Sequence, residues 1–500
     1  MDNVTGTARD EATARQAEEI VDRAVATLRP KLVALVLCFI RRDTSPDEFR
    51  QFEWSLFSLV RELGRELLEL VVNSLEGDGS LLPPEVLYDG QVYRRLGKKT
   101  RNSFVATLFG TLCVWRFPYR FGDRQIPQAC LFPLELRLGL IAGVTPALTE
   151  HLGKYLAEAG ASQRRALALL RDQHGVSMGV KRLRKFLAEL SVGVAAFREA
   201  TQVESLLAAL QQAAQSSGNR KPVLAIGRDG TTYCQHVKSL WQVGSVATFS
   251  VFDRRGNRIT TVYLAWQQEF GQGTLSEMIT SLLLETLRRW DGPLPTLAYV
   301  TDSGDNETTY FQTTLQRMVH PRTGQRLLWE RVVDFYHTAS RVWTMADCLF
   351  GAATPKARQW AKRMLHKLRH NSRGAKRVLH SAATFAKQRH LSKAKRAEFK
   401  KAYRYIQSRT RWMDYVQLAR RHIPIGSGIT EAACKIVFTQ RLKLSGMRWS
   451  RDGAQWILDL RTILLSGIWR QCVDELFKAY IRRSPTPYQG KSRSPSTIAA

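Results

Sequence analysis

The sequence predicts an α/β protein: a core with strands and helices in the order β-β-β-α-β-α-β-α, interrupted by an α-helical insertion and preceded by helical and helix-turn-helix N-terminal regions. Three observations predict it. Short apolar runs separated by turn-forming clusters fill the stretch from Lys221 to Phe335. Apolar residues at spacings of three and four govern the first 95 residues and the long stretch after His337. The chain also carries 75 Lys plus Arg against 44 Asp plus Glu, a formal charge of +31, and this excess lies outside the first segment. Five hundred residues allow about three or four domains at roughly 150 residues each.

Composition excludes several classes. The longest apolar run, Leu32 to Ile40, has nine residues, well short of the roughly twenty that span a bilayer, so no membrane partner is expected. The N-terminal stretch lacks the basic and apolar regions of a secretory signal, which places the chain in a reducing compartment. Its seven cysteines, at 38, 113, 130, 234, 348, 434 and 472, then read as free thiols with no local zinc or redox pair. Residues 1–95 hold 12 basic and 17 acidic side chains, a net of −5, so the remainder carries +36. A polyanion is the expected partner, and its contact surface begins after residue 95.

Residues 1–95 read as a helical region that could serve oligomerisation. Ser45-Pro46-Asp47-Glu48 has the form of a helix start, with a capping side chain, a first-turn proline and acids against the positive dipole end. Phe49, Phe52, Leu56, Leu59, Leu63, Leu67 and Leu70 then form one stripe, which fits an ordinary bundle helix and also a dimerising coiled coil. Residues 96–132 change period: runs from Ser103 and from Thr111, around Phe109-Gly110, predict a β-hairpin. Residues 133–210 return to helical spacing. Ser162 to Gln173, a turn at His174-Gly175-Val176-Ser177, and Met178 to Leu190 have the dimensions of a helix-turn-helix. Lys181, Arg182, Arg184 and Lys185 on its second helix could line a DNA groove or simply form a solvated face, with Leu183, Phe186, Leu187 and Leu190 on the buried side.

After a polar stretch, Gln211 to Arg220, the core begins; it is expected over residues 221–345 and 422–475. Strands are predicted at Val223–Arg228, Gly244–Phe252 and Arg258–Ala265, the last two joined by the turn at 253–257. A helix over Thr274–Trp290, a strand at Leu297–Thr301, a helix over Asn306–Val319 and a strand at Leu327–Phe335 follow. That is the element order of the RNase H-like fold. Its first strand is central and its fourth lies alongside, so Asp229 and Asp302, each directly after an apolar strand, would converge. Two hard divalent ions about 4 Å apart can activate an attacking oxygen and stabilise a leaving one at a phosphodiester, and they require carboxylates on rigid elements. Glu431, in Ile425-Gly-Ser-Gly-Ile-Thr-Glu431-Ala-Ala-Cys-Lys435, is the third candidate, on a helix capped by Ser427 or Thr430. An aspartate after a strand also serves as a turn former, and Asp305 and Glu307 are further acids near the second position. Asp334 and His337, three apart after the fifth strand, either share a hydrogen bond that sets the imidazole tautomer or cap the next helix.

The α-helical insertion spans residues 346–421. Residues 351–421 hold 21 basic residues against Glu398 and Asp414, a net of +19, which suits phosphate-backbone contact or a solvated face. Arg363, Lys367, Lys376 and Arg377 in the insertion, and Lys435, Arg441 and Arg448 beyond it, complete the DNA-binding candidates. Trp449 and Trp456 read as core, and residues 482–500 as a disordered basic tail.

Five blocks share a further likeness: Arg228-Asp-Gly-Thr, Val300-Thr-Asp-Ser-Gly, Val333-Asp-Phe-Tyr-His, Pro424-Ile-Gly-Ser-Gly-Ile-Thr-Glu-Ala-Ala-Cys-Lys and Leu444-Ser-Gly-Met-Arg-Trp. In order they resemble the blocks of bacterial insertion-sequence DDE transposases, closest to the ISKra group, over about residues 100 to 475. The resemblance implies that Asp229, Asp302 and Glu431 are the catalytic carboxylates holding two Mg²⁺ ions, with Mn²⁺ as substitute, and that Asp334 and His337 form a catalytic block. It implies binding of double-stranded DNA at the element's ends, strand cleavage, and attack of the freed 3′-hydroxyl on target DNA, by a homo-dimer or higher assembly in the bacterial cytoplasm at the nucleoid. Ser303-Gly304 replaces the Gly-Ala of many relatives, and only Cys113 and Cys130 stand where some carry a zinc motif, which leaves a structural zinc doubtful. A catalytically inactive DNA-binding descendant and an RNase H-like nuclease without strand transfer are the alternatives.

Overall fold

A computed structural model describes residues 2–41, 45–121, 130–236 and 240–488. The chain divides into two compact units, the first formed by residues 1–156, 161–194 and 473–500, the second by 157–160 and 195–472. It is mixed α/β with several sheets.

The first unit starts with α1 (Asp2–Ile40) and α2 (Pro46–Ser74). The expected start of α2 is present: Ser45 accepts a hydrogen bond from the Glu48 amide and Pro46 occupies the first turn. Phe52 stacks on Phe39 at 4.4 Å, while Phe49, Trp54, Phe57 and Val60 remain exposed. Helix ends well before residue 95. Strands β1 (Glu85–Tyr88) and β2 (Gln91–Arg95) form a hairpin through Asp89-Gly90, both with positive φ, so the wholly helical reading of this region is corrected by an Asp-Gly turn signal. The hairpin expected next is β3 (Thr100–Thr107) with β4 (Gly110–Arg116), and β5 (Tyr119–Phe121) pairs with β2.

Helices α3 (Pro133–Arg137), α4 (Pro146–Ala157), α5 (Gln163–His174) and α6 (Val180–Gln215) follow. Ser162 caps α5 and Gly175, at φ +62°, closes it. The second helix of the expected helix-turn-helix does not stop at Leu190, because its apolar spacing continues through Val194, Val203, Leu206 and Leu210, all buried. Residues 211–215 of the expected polar separator belong to it. The disordered-tail expectation is also corrected in part. Arg482 closes a helix, and Thr486 and Pro487 pair with Leu87 and Val86 of β1; residues 489–500 lie outside the described residues.

The second unit is built on β6 (Val223–Cys234), β7 (Trp241–Phe252), β8 (Arg258–Trp266), β9 (Thr296–Thr301) and β10 (Trp329–Val333), in the sheet order β10-β9-β6-β7-β8. The first three form an antiparallel meander, and β9 and β10 run parallel to β6. Between them lie α7 (Gly273–Arg289) and α8 (Asp305–Thr313). Strand alternation divides the core. Leu224 and Ile226 share one buried cluster with α7, α8 and the end of α6. Val223 and Ala225 share the other with α9 (Phe335–Phe350), α10 (Pro355–His370), α11 (Gly374–Gln388), α12 (Lys393–Arg409) and α13 (Tyr415–Arg420). The insertion is helical as expected, but it is part of this compact unit, because Trp360, Met364, Val378, Phe399 and Ile406 turn an apolar face to the sheet.

Helix α14 (Gly428–Ala433), a π-helical segment over Cys434–Thr439 and α15 (Gln440–Leu442) then cross β6 and β7, before α16 (Arg451–Leu465) and α17 (Trp469–Arg482). The crossing is close. A Cβ on Gly227 would lie 1.9 Å from Thr430 Oγ1, and the Thr430 hydroxyl is 2.8 Å from that of Thr248. Gly227→Ala is therefore expected to lower unfolding stability by about 1–3 kcal/mol. Adding Thr430→Ala, which removes the clashing hydroxyl, should recover part of the loss in chemical denaturation.

Candidate functional site

Sheet register brings the two aspartates together. The parallel pairing of β6 with β9 ends at Gly227 opposite Val300, so Asp229 and Asp302 each stand two residues beyond the last pair. Neighbouring strands lie about 4.8 Å apart. Asp229 is not at a strand end, as the sequence suggested: β6 continues to Cys234 because its other edge still pairs with β7, where Asp229 faces Val246. Alternation places Asp229 with Val223 and Ala225, on the face that α14 crosses, and sends Arg228 to the opposite face. There Arg228 is buried and donates to Gln272 Oε1 at 2.8 Å, the Gln272 carbonyl and Ser276 Oγ.

Asp229 accepts from the Gly230 amide at 2.7 Å, and the Cys434 thiol donates to its other oxygen at 3.5 Å. Burial pushes its carboxyl up, and the nearby negative charges of Asp302 and Glu431 add to the rise against those two hydrogen bonds. Burial likewise raises Glu307, with Asp302 and Asp229 contributing. Asp302 Oδ1 accepts from the Gly304 amide at 3.0 Å. Among the described residues, no lysine or arginine forms an ion pair with Asp229, Asp302 or Glu307.

Glu431 links this group to a second one. His337 Nε2 lies 3.4 Å from Glu431 Oε1, both side chains being about half exposed, and Asp334, His337 and Glu431 each offer a ligand atom within 4.8 Å of the others. Among the described residues this is the one such cluster of three. Asp334 is fully buried; it caps α9 by accepting from the His337 amide and accepts from the Ser427 amide and hydroxyl. The helix-capping reading of Asp334 therefore matches its contacts. Ser427 Oγ is also 2.8 Å from Glu431 Oε1, so one hydroxyl proton serves two carboxylates. Its expected cap on α14 is absent: neither Ser427 nor Thr430 makes a side-chain bond to the helix amides, since both hydroxyls are engaged elsewhere.

This donor set suits hard divalent cations, which take carboxylate oxygens; His337 adds one nitrogen. Asp229 and Glu307, raised by burial and by neighbouring carboxylates and with no lysine or arginine paired to them, gain from a compensating positive charge when ionised.

The basic candidates divide. Lys181, Arg182, Arg184 and Lys185 are exposed on α6, although the Arg182 guanidinium lies 3.8 Å over the Phe104 ring and Lys185 is 3.7 Å from Glu189. Arg363, Lys376, Arg377, Lys435 and Arg448 are exposed, and Lys367 is half-buried. Arg441 is a correction: it is 2% exposed, with its guanidinium 5.1 Å over the Trp449 ring, and is closed to a phosphate. Glu307, set aside in the sequence as a spare acid, faces the site from α8; its position five residues after Asp302, in the first turn of α8, was the available signal.

No protein-family model matches the chain, and a search of curated proteins finds no match either.

The raised carboxyl of Asp229 sets a pH test. A folded-state value above the unfolded one contributes stability that is present at low pH and lost as pH rises through the folded value. In chelator, wild type should lose melting temperature relative to Asp229→Asn as pH rises from the acid range to neutrality. Millimolar Mn²⁺ should close that gap. Parallel pH profiles for the two proteins would contradict the raised carboxyl of Asp229.

Proposed function

We propose that the chain is a DDE transposase of the insertion-sequence type: it binds the ends of a DNA element, cleaves a strand at each and joins the freed 3′-hydroxyl to target DNA. The observation that carries this reading is the convergence of Asp229 and Asp302 on one sheet face, beyond paired parallel strands, with Glu431 brought across Gly227 by α14. The sheet order, a three-stranded antiparallel meander followed by two parallel strands, supports an RNase H-like core. The five sequence blocks that resemble these transposases contribute the residues of that arrangement.

Asp229, Asp302 and Glu431 would hold two Mg²⁺ ions, or Mn²⁺ in their place. When bound, such ions supply activation of an attacking water or hydroxyl and stabilisation of the leaving oxygen. The chain itself does the rest. Asp334 fixes the start of α9 and thereby His337, whose Nε2 beside Glu431 can donate to and orient that carboxylate. Exposed Arg363, Lys376, Arg377, Lys435 and Arg448 supply phosphate contacts, as do the basic residues of α6. The exposed apolar side chains of α1 and α2, among them Val25, Val36, Phe57 and Val60, suit assembly of a homo-dimer or larger complex on paired ends. The bacterial cytoplasm is the setting this reading requires; no described helix is long and apolar enough to cross a membrane.

The test uses DNA taken from both flanks of the protein's own gene, incubated in Mg²⁺ and then Mn²⁺. Wild type should break it at fixed positions and join the products to a second duplex, and Asp302→Ala should do neither while its DNA affinity stays within about twofold, since no phosphate contact is removed. Tight, salt-sensitive binding without breaks would favour the inactive DNA-binding descendant, and breaks without joining the nuclease. Replacing Arg363, Lys376 and Arg377 together by Gln should reduce the slope of log affinity against log salt by about 2–3. Phe57→Glu with Val60→Glu should spare binding to one end and reduce assembly on paired ends, read by native electrophoresis.

A further inference from the structure

Asp302 sits in a loop that its strand does not fix. β9 ends at Thr301 and α8 starts at Asp305, and between them Ser303 has φ +63°, a left-handed conformation that a residue with a side chain keeps only when its surroundings impose it. Those surroundings can be named. From β10, the buried Arg331 donates through Nη2 to Thr301 Oγ1 at 2.7 Å and to Ser303 Oγ at 2.8 Å. From α12, 103 residues further along the chain, the Tyr405 hydroxyl donates to the carbonyl oxygen of Asp302 at 2.6 Å. One helical turn later, Arg409 donates through Nη2 to the carbonyl oxygen of Ser303 at 2.9 Å.

Two successive carbonyls of the acid-bearing loop are thus held by one helix of the basic insertion. Tyr405 is itself held in place, with the Arg409 and Arg341 guanidinium groups 4.4 and 5.1 Å from its ring centre. We propose that Tyr405 and Arg409 are positioning residues that fix Asp302 for cation binding, so that the helical insertion sets the cation affinity of the acidic site as well as offering charge to a polyanion. The inference rests on the reading of Asp302 as a cation-holding acid. It gives α12 a role its composition does not announce. Burial pushes the Tyr405 phenol up to about 12, with Asp302 adding to the rise against Arg409, so it stays protonated and able to donate at neutral pH. A carboxylate displaced by a fraction of an ångström meets a cation with poorer geometry, and one lost hydrogen bond is worth a few-fold in affinity.

The experiment uses the full chain. Mn²⁺ binding is titrated by electron paramagnetic resonance, and backbone amide exchange over residues 300–308 is followed by mass spectrometry without metal. Tyr405→Phe and Arg409→Gln should each weaken Mn²⁺ binding by roughly three- to tenfold and speed exchange in the 302–305 segment. Tyr403→Phe, on the same helix with its ring stacked on Phe399, should do neither. Wild-type Mn²⁺ affinity in both variants would overturn this inference alone, as would a fall in melting temperature with exchange accelerated throughout and affinity unchanged. If wild type itself takes up no Mn²⁺ while remaining folded, the proposed function falls and this inference with it.

Discussion

The parallel pairing of β6 with β9 is the contact on which the candidate site depends. It runs in unbroken register from Val223 opposite Thr296 to Gly227 opposite Val300, and its end is what sets Asp229 level with Asp302. A slip of one residue in either strand would turn that strand's aspartate to the other face, because side chains alternate with a period of two. The apolar pattern forbids the slip: Leu224, Ile226, Leu297 and Tyr299 are needed in the cluster with α7, and Val223, Ala225, Ala298 and Val300 in the cluster with α9 and the insertion. Burial on both faces of the sheet therefore fixes the register that places Asp229 and the point from which the Asp302 loop leaves the sheet.

That position carries an electrostatic cost. Burial raises the carboxyls of Asp229 and Glu307, and the charge of Asp302 adds to both. Arginines stand close by, yet their hydrogen bonds go elsewhere. Arg228 donates to Gln272 and Ser276, and Arg331 to Thr301, Ser303 and the carbonyls of Tyr299 and Val332. Their charges act at a distance while their donors are committed to backbone and hydroxyl oxygens. Asp229, Asp302 and Glu307 are left without a paired lysine or arginine in a chain rich in both, and direct pairing would remove their affinity for a cation.

The sequence made the second unit legible and the first only partly so. Strands from Val223, Gly244, Arg258, Leu297 and Leu327 stand out because each is an apolar run bounded by turn formers, and their order followed from that. The length of β6 was not legible, since Thr231 to Cys234 pair only with β7 and their polar character hides the strand. The hairpin at residues 85–95 was missed because four- and five-residue strands offer too little alternation, although Asp89-Gly90 marked the turn. Of the site, the three carboxylates were visible as residues after strands and in a glycine-rich helix start. The burial of Arg441 was not visible, because an arginine between Gln440 and Leu442 on a helix reads the same whether it faces solvent or Trp449. Neither was the packing role of the insertion, whose charge drew attention away from Trp360, Met364, Val378 and Ile406 at helical spacing.

The insertion reconciles two demands that conflict electrostatically. Its apolar faces complete the sheet's core, and its Tyr405 and Arg409 reach the Asp302 loop, while Arg363, Lys376 and Arg377 stay in solvent. Charges in water are screened over about 8–10 Å, so the exposed basic residues attract a polyanion without neutralising carboxylates held by a different set of contacts. The guanidinium groups that are buried beside the acids, Arg228 and Arg331, instead direct their donors to hydroxyl, amide and backbone oxygens. Spacing along amphipathic helices is therefore what allows a chain of net +31 to keep an acidic centre.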